Sequence, residues 1–401
     1  MSSKTTKPRP LLFTPITLRG VTAPNRIVAS PMCQYHSVDG APGDWMMMHL
    51  GRLATGGCGI VFGEETAVEP IGRKTYDCAG LYKDEHIPAY RKLTDFIRLQ
   101  GAVPAIQLGH AGRKASCHGA VENWRPLKDE DAADGLPPWQ GIAPSALPEP
   151  PRRFLPKAMD QSDIKRVLEA FRIATLRSLE CGYDIVEIHG AHGYLIHQFL
   201  SPAANHRTDS YGGDLEGRMR LALEIAEVTR DAWPADKPLF YRISAVDGQG
   251  GEWNLSDSVI LSKRLKERGI DLVDVSSGGI NGQSKMPLVP RAAAYQVPFS
   301  SRIRHEADVM TIAVGGITEA QQAEDVLQQG HADLVALARE LLWNADWPAH
   351  AAQTLGIDDP FGVLPNEYAH RLRQREKQKE MEINLGGDKT NEALQYFLGN
   401  D

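Results

Sequence analysis

The chain has 401 residues, 44 Lys+Arg against 51 Asp+Glu, a formal net charge of −7, 42% hydrophobic and 24% charged residues. That balance belongs to a soluble globular protein long enough to bury a large core without disulfides or structural metals. It lacks the basic excess that a nucleic-acid partner demands, and no run of about 18 apolar residues is present to span a membrane.

The opening MSSKTTKPRPLLF is basic but has no apolar stretch leading to a small-residue cleavage site, so no secretory leader is expected. Five cysteines (Cys33, Cys58, Cys78, Cys117 and Cys181), odd in number and without a C-x-x-C pair, make a poor disulfide, zinc or iron–sulfur framework. A reducing cytoplasm is the expected compartment.

Along the chain, short apolar β-branched runs recur at residues 26–32, 59–66, 103–110, 184–190, 239–245, 272–278, 310–317 and 334–339. Between most of them lies a segment of helical periodicity, clearest at 85–100, 162–181, 214–233, 256–268 and 318–329. Ser162, Ser256 and Thr318 read as N-terminal caps, and Gly182, Gly269 and Gly330 as stops. Eight strand-then-helix units predict a single-domain α/β fold, a (β/α)8 TIM barrel over residues 1–350, with a doubly wound sheet as the alternative. The barrel is favoured because Cys33, Glu65, Gln107, His110, His189, Arg242, Ser276, Gly315 and Arg339 all fall at the C-terminal ends of the runs, the end where barrel active sites are built.

The longest connection follows the third run. Its extra segment, residues 116–157, is rich in Pro, Gly and charge and is expected as a lid or pocket wall on the catalytic face, or else as a solvated decoration. Residues 351–401 are expected as a C-terminal extension: a connector to 365, then a strongly charged stretch that is either disordered or inter-subunit, with residues 394–398 able to clip onto a neighbour.

The strongest local signal is VEIHGAHGYLIHQFLSP at 186–202, with His189 and His192 three apart and Tyr194 close behind the fourth strand. Two His at this spacing could bind zinc, but no HExxH pattern or third ligand accompanies them. The alternative is a pair of imidazoles donating to one substrate oxygen, with a phenol as proton donor. Gly315 and Gly316 after the seventh strand, with Ala338 and Arg339 after the eighth, read as a phosphate site where barrels commonly carry one. Gln107 and Arg242 offer an amide and a guanidinium for the N–C=O edge of a flat heterocycle. Ser30, Pro31, Met32 and Cys33, with Tyr35, line the first strand end, although a free Cys is most often a small buried hydrophobe.

The stretches SPMCQY (30–35), IQLGHAGRKA (106–115), IVEIHGAHGYLIHQFLSPAANHRTDSYGGDLEGR (185–218), RISA (242–245), VDVSSGG (273–279), YQVPFSSRIR (295–304), AVGGIT (313–318) and ADLVALARELLWNADWP (332–348) resemble the old yellow enzyme family of flavin-dependent ene-reductases. Within it the chain is most similar to the bacterial subclass with a cysteine on strand one. The resemblance spans about residues 10–348 in family order.

It implies one non-covalent FMN lined by Ser30, Pro31, Met32 and Cys33, with Cys33 near the N5/O4 edge. Glu65 stands after strand two, where a small or neutral residue is usual near the flavin. Gln107 and Arg242 would hold the pyrimidine edge, and Gly315, Gly316, Ala338 and Arg339 the phosphate. His189 and His192 would hold a substrate carbonyl oxygen, Tyr194 would donate the proton, and Tyr35 would close the pocket.

The implied activity is NADPH- or NADH-dependent, ping-pong reduction of the activated alkene of α,β-unsaturated carbonyl compounds. The alternative within the family is reduction of aromatic or coenzyme A thioester substrates on the same barrel. A homo-oligomer, dimer or tetramer, is expected. The subclass's C-terminal Tyr-x-Arg has its nearest match at Tyr368-Ala369-His370-Arg371, offset by one residue. Outside the family, a flavin-free lyase or aldolase would want a Lys at a strand end, and none is there; a barrel serving only as a binding scaffold is at odds with His189, His192, Tyr194 and Gln107 together.

Overall fold

The computed structural model describes residues 8–149, 155–248, 252–280, 289 and 291–385. Eight parallel strands close into a barrel: β1 (Ile27–Ala29), β2 (Ile60–Ala67), β3 (Val103–Gly109), β4 (Ile185–Gly190), β5 (Leu239–Ser244), β6 (Leu272–Ser276), β7 (Met310–Val314) and β8 (Leu334–Leu337), with β8 pairing back to β1. The expected TIM barrel is therefore the fold. Helices α1 (Asp44–Thr55), α2 (Ile87–Leu99), α3 (Gln161–Glu180), α4 (Leu215–Ala232), α5 (Leu255–Glu267), α6 (Val297–Ala307), α7 (Ala320–Gln328) and α8 (Trp347–Thr354) follow the strands in turn.

Apart from β2, which matches its run in length one residue further on, the strands are shorter than the apolar runs that announce them, above all at their C-terminal ends. There the chain leaves the ladder to form the mouth; β7 stops at Val314 because Gly315 turns away with φ +102°. All three expected caps also differ. Asp160, not Ser162, caps α3, its side chain accepting from Ser162 N and Asp163 N. Asn254 does the same for α5, accepting from Ser256 N and Asp257 N, and Thr318 lies ahead of the start of α7 without capping it. A carboxylate or amide oxygen two residues upstream outcompetes the serine hydroxyl for the free amides. Helices α1 and α6 have no counterpart in the sequence reading: DWMMMHLGRLAT clusters its apolar residues consecutively, and VPFSSRIRHEA uses Ser300 and Ala307 on its buried face.

Strand periodicity divides the apolar residues into two sets. Val28, Ile60, Phe62, Ala105, Ile185, Phe240, Leu272, Ile312, Leu334 and Ala336 fill the barrel interior, joined by Ile16, Leu18 and Ala23 of an antiparallel hairpin (Ile16–Leu18 with Val21–Ala23). The alternate residues, among them Val61, Ile106, Val186, Tyr241, Val273, Ala313 and Val335, face the helices.

Residues 116–149 hold three-residue and longer 3-10 turns (Ala120–Glu122, Asp129–Asp134) and a short strand (Ile142–Ala143). Beyond the barrel, residues 351–354 belong to α8 rather than to a connector, and the charged stretch opens as helix α9 (Asn366–Leu385), its guanidinium Arg373 bonded to Asp359 at 2.6 and 3.0 Å. Residues 394–398 lie outside the described residues. No helix among the described residues is long and apolar enough to cross a membrane.

Candidate active site

On the interior face the apolar layer gives way, toward the strand C-termini, to a polar one. Register sets Gln107 beside Glu187, His189 beside Arg242, and Arg242 beside Asp274. Gln107 Nε2 donates to Glu187 Oε1 at 2.7 Å, Arg242 Nη1 to Ser30 Oγ at 3.1 Å, and Arg242 Nε lies 3.3 Å from Asp274 Oδ2. One guanidinium thus serves two buried acids. Burial raises both Glu187 and Asp274, each opposed by Arg242, so the pair keeps a proton that exposed carboxyls would release. Glu187 and Asp274 are absent from the sequence reading. The signal was present: each stands two residues before a recognised strand-end residue, His189 and Ser276, and so shares its inward face.

Above this layer the tight turn after β4 groups three rings. His189 lies 5.1 Å from His192 and 4.8 Å from Tyr194, centroid to centroid, both edge-on. His192 takes φ +57°, a conformation a side chain resists, and three contacts hold it there. His192 N donates to Ser244 Oγ at 2.9 Å, its Nε2 meets Ser276 Oγ at 2.7 Å, and Lys114 Nζ bonds His192 O at 2.7 Å and Gly279 O at 2.8 Å. Gly279 is obligatory there: at φ +102° a Cβ would stand 2.2 Å from the His192 carbonyl carbon. Burial drives both imidazoles well below their ordinary range, aided by the Arg242 charge, so both are neutral near pH 7. Burial also raises Tyr194 far above the usual phenol, and it keeps its proton. His189 Nδ1 has no hydrogen-bond partner among the described residues.

The third side of the mouth comes from β1 and β2. Tyr35, at φ +58°, accepts from Lys74 Nζ at 3.0 Å and packs edge-on to Trp124 at 5.1 Å, and Lys74 Nζ sits 3.5 Å from the Trp124 ring centre. Trp124 comes from the long segment after β3, which here folds back against Tyr35; neither Lys74 nor Trp124 was singled out from sequence. Cys33 is a free thiol raised well above its ordinary range, by burial first and then by Glu64 and Glu65. A bulge in β2 sets Phe62 beside Ala105 but Glu65 beside Gln107, so Glu65 rather than Glu64 joins the Gln107 row.

His110, a strand-end residue in sequence, belongs to the scaffold instead: its Nε2 meets Glu69 Oε1 at 2.9 Å and its Nδ1 accepts from Gly112 N. Opposite the histidines, β7 and β8 pair Val314 with Ala336, which brings Gly315, Gly316, Ala338 and Arg339 onto adjacent strand ends. Ser30 N donates to Leu337 O at 2.9 Å, binding the first strand end to the last. Arg339 is exposed and has no ion pair or hydrogen bond among the described residues.

These groups fit an FMN. A lone cation beside two bare glycines suits a phosphate. Gln107 and Arg242 retain N–H groups beyond those bonded to Glu187 and Ser30 for a heterocycle edge. The structure so brings together, at one mouth, the residues read as cofactor-lining (Ser30, Cys33, Glu65, Gln107, Arg242) and those read as catalytic (His189, His192, Tyr194).

Residues 11–357 match the model of the NADH:flavin oxidoreductase / NADH oxidase family. The NADPH dehydrogenase of Geobacillus sp. (strain WCH70) is 44% identical over 348 residues, 86% of this chain and 95% of the relative. That of Bacillus subtilis (strain 168) is 40% identical over 354 residues, 88% and 97% of the two chains. Among solved structures, a 2-naphthoyl-CoA reductase complex superposes with TM-score 0.76 at 23% identity, covering 86% of this chain and 52% of that one. Morphinone reductase does so with TM-score 0.72 at 24% identity over 87% and 91%; both share the fold. The chain belongs to the NADH:flavin oxidoreductase / NADH oxidase family, the old yellow enzymes, and is an FMN-dependent NAD(P)H oxidoreductase.

Proposed function

We propose that this oxidoreductase reduces the activated C=C bond of α,β-unsaturated carbonyl compounds. The observation that carries this reading is the cluster of two neutral imidazoles and a protonated phenol at 5.1 and 4.8 Å. When bound, FMN supplies a two-electron carrier that accepts hydride from NAD(P)H and passes it to an electrophilic carbon.

Gln107 and Arg242 hold the pyrimidine edge, Ser30, Pro31, Met32 and Cys33 line the β1 side with Glu65 opposite, and Gly315, Gly316, Ala338 and Arg339 hold the phosphate. His189 and His192 donate to the substrate carbonyl oxygen. Being neutral, they stabilise the negative charge that grows on it without protonating it outright. Ser276 and Ser244 fix His192 in the required turn. Tyr194 holds its proton until the carbon next to the carbonyl becomes basic enough to take it. Tyr35, braced by Lys74 and Trp124, closes the pocket against water.

One mouth for nicotinamide and alkene requires that they bind in turn, which is the ping-pong pattern. Reduction of an aromatic or coenzyme A thioester substrate is the second reading, favoured by the long wall segment that carries Trp124. Trp343 and Tyr368, 85% and 57% exposed, support self-association as a dimer or tetramer, with the C-terminal extension at the contact.

An anaerobic visible spectrum tests the reading: flavin bands that bleach with NADPH and return with cyclohexenone support it. Bands that bleach and return only with an aromatic thioester select the second reading, and a chain that takes up no FMN refutes both.

A further inference from the structure

Glu65 is a buried acid that the scheme above leaves without a task. Only 3% of it is exposed, and neither carboxyl oxygen has a hydrogen-bond partner among the described residues. Through the β2 bulge it stands in the Gln107 row at the barrel mouth. Space for it is left by Gly109, where a Cβ would lie 2.2 Å from Glu65 Oε1, so the carboxyl lies over the end of β3 instead of reaching water.

The groups that face it are Cys33 and Tyr35 from the β1 end, Glu64 on its own strand, Lys74 and Cys78 from the segment after β2, and Tyr194 after β4. Lys74 is the single cation in that set, and its ammonium is already engaged by Tyr35 Oη and the Trp124 face. A buried carboxylate with neither hydrogen bond nor ion pair is several kcal/mol unfavourable. Such a group keeps its proton instead.

We propose that Glu65 is a proton-coupled residue of the redox step, carried as the neutral acid in the resting enzyme and reprotonated, when ionised, as the cofactor gains negative charge. The inference rests on the FMN reading of the mouth. Burial, opposed by Lys74 and reinforced by Glu64, pushes Glu65 up to about 8. Added negative charge in the same mouth raises it further. Between those two values, reduction draws one more proton from solvent. NAD(P)H delivers two electrons and one proton as hydride; the second proton comes from water and forms only the Glu65 O–H bond. Reoxidation releases it again.

The test is a redox titration of the FMN-loaded enzyme across pH, with infrared spectra of the oxidised wild type and variant compared. The wild type should take up one proton per two electrons below about pH 8 and two between that pH and the higher value of the reduced enzyme, whereas Glu65→Gln should show one throughout. At neutral pH the oxidised wild type should show one protonated-carboxyl C=O component more than Glu65→Gln, because those of Glu187, Asp274 and Glu64 are common to both. This comparison needs the folded chain and not its flavin, and Glu65→Ala serves as a second variant. Identical proton uptake in wild type and variant, or identical protonated-carboxyl absorption at neutral pH, overturns the proposal while the yellow colour leaves the flavin reading standing. A chain that takes up no FMN overturns both.

Discussion

Gly279→Ala is a mutation on β6's loop that should disable chemistry attributed to β4. The new Cβ would stand 2.2 Å from the His192 carbonyl carbon and 2.3 Å from its Cα, both backbone atoms that cannot rotate away. Carbon atoms need roughly 3.5 Å, so one of the two loops must move by about 1.3 Å. The left-handed φ adds roughly 1–2 kcal/mol against any side chain at this position. Lys114, bonded to both carbonyls, resists separation, so the shift is passed to the His192 ring and its bond to Ser276. A displacement near 1 Å at a positioned group costs on the order of 100-fold in rate. Stopped-flow mixing of the NADPH-reduced variant with cyclohexenone should show that loss, while FMN stays bound because Gly315, Gly316 and Arg339 lie across the mouth. A reoxidation rate within about twofold of wild type would refute the idea that this contact sets the histidine.

Tyr194→Phe should slow reoxidation by an enone by roughly 100-fold or more, the range of a lost general acid, and leave reduction by NADPH nearly unchanged; equal slowing of both halves would point to misfolding instead. Arg339→Ala removes a cation with no ion pair among the described residues, so FMN affinity measured by ultrafiltration should fall by roughly 10- to 100-fold, the worth of a charge-assisted hydrogen bond. Stability should also depend on pH in a set direction. Glu64 and Glu65 are raised by burial to about 7 and about 8 from 4.5, so the native state holds protons the unfolded chain has already released. That contribution is complete below about pH 4.5 and is lost as pH rises through 7 and 8, by at most about 1.4 kcal/mol per pH unit for each group. Urea midpoints between pH 6.5 and 8 should therefore fall more steeply for the wild type than for Glu65→Gln; parallel curves would show that Glu65 is ionised in the native state.

Most of the barrel was readable because parallel strands buried on both faces are continuous apolar runs, and the strand-end polar residues mark the mouth directly. The cluster His189, His192 and Tyr194 was equally plain, since one short turn carries all three. What the sequence hid depends on contacts between distant segments. Lys114 matters because it meets carbonyls 78 and 165 residues away, and Trp124 because the long segment folds back over Tyr35. His110 misled for the opposite reason: it ends a strand like the others, yet Glu69 and Gly112 draw its ring into the scaffold. The caps at Asp160 and Asn254 show that a plausible serine loses to a better acceptor two residues earlier.

The irregularity in β2 separates two demands that a regular strand would bind together. Below it, Ile60 and Phe62 answer to the packing of the barrel interior; above it, Glu65 answers to the chemistry of the mouth. Because one residue is spent on the step between them, the two halves no longer share a single in–out alternation. Adjacent glutamates are thereby given different surroundings, and substitutions tuning one half need not be matched in the other. Were the strand to run regularly through that step, Glu64 instead of Glu65 would stand beside Gln107, and the electrostatics of the pocket would be rewritten with no change of composition.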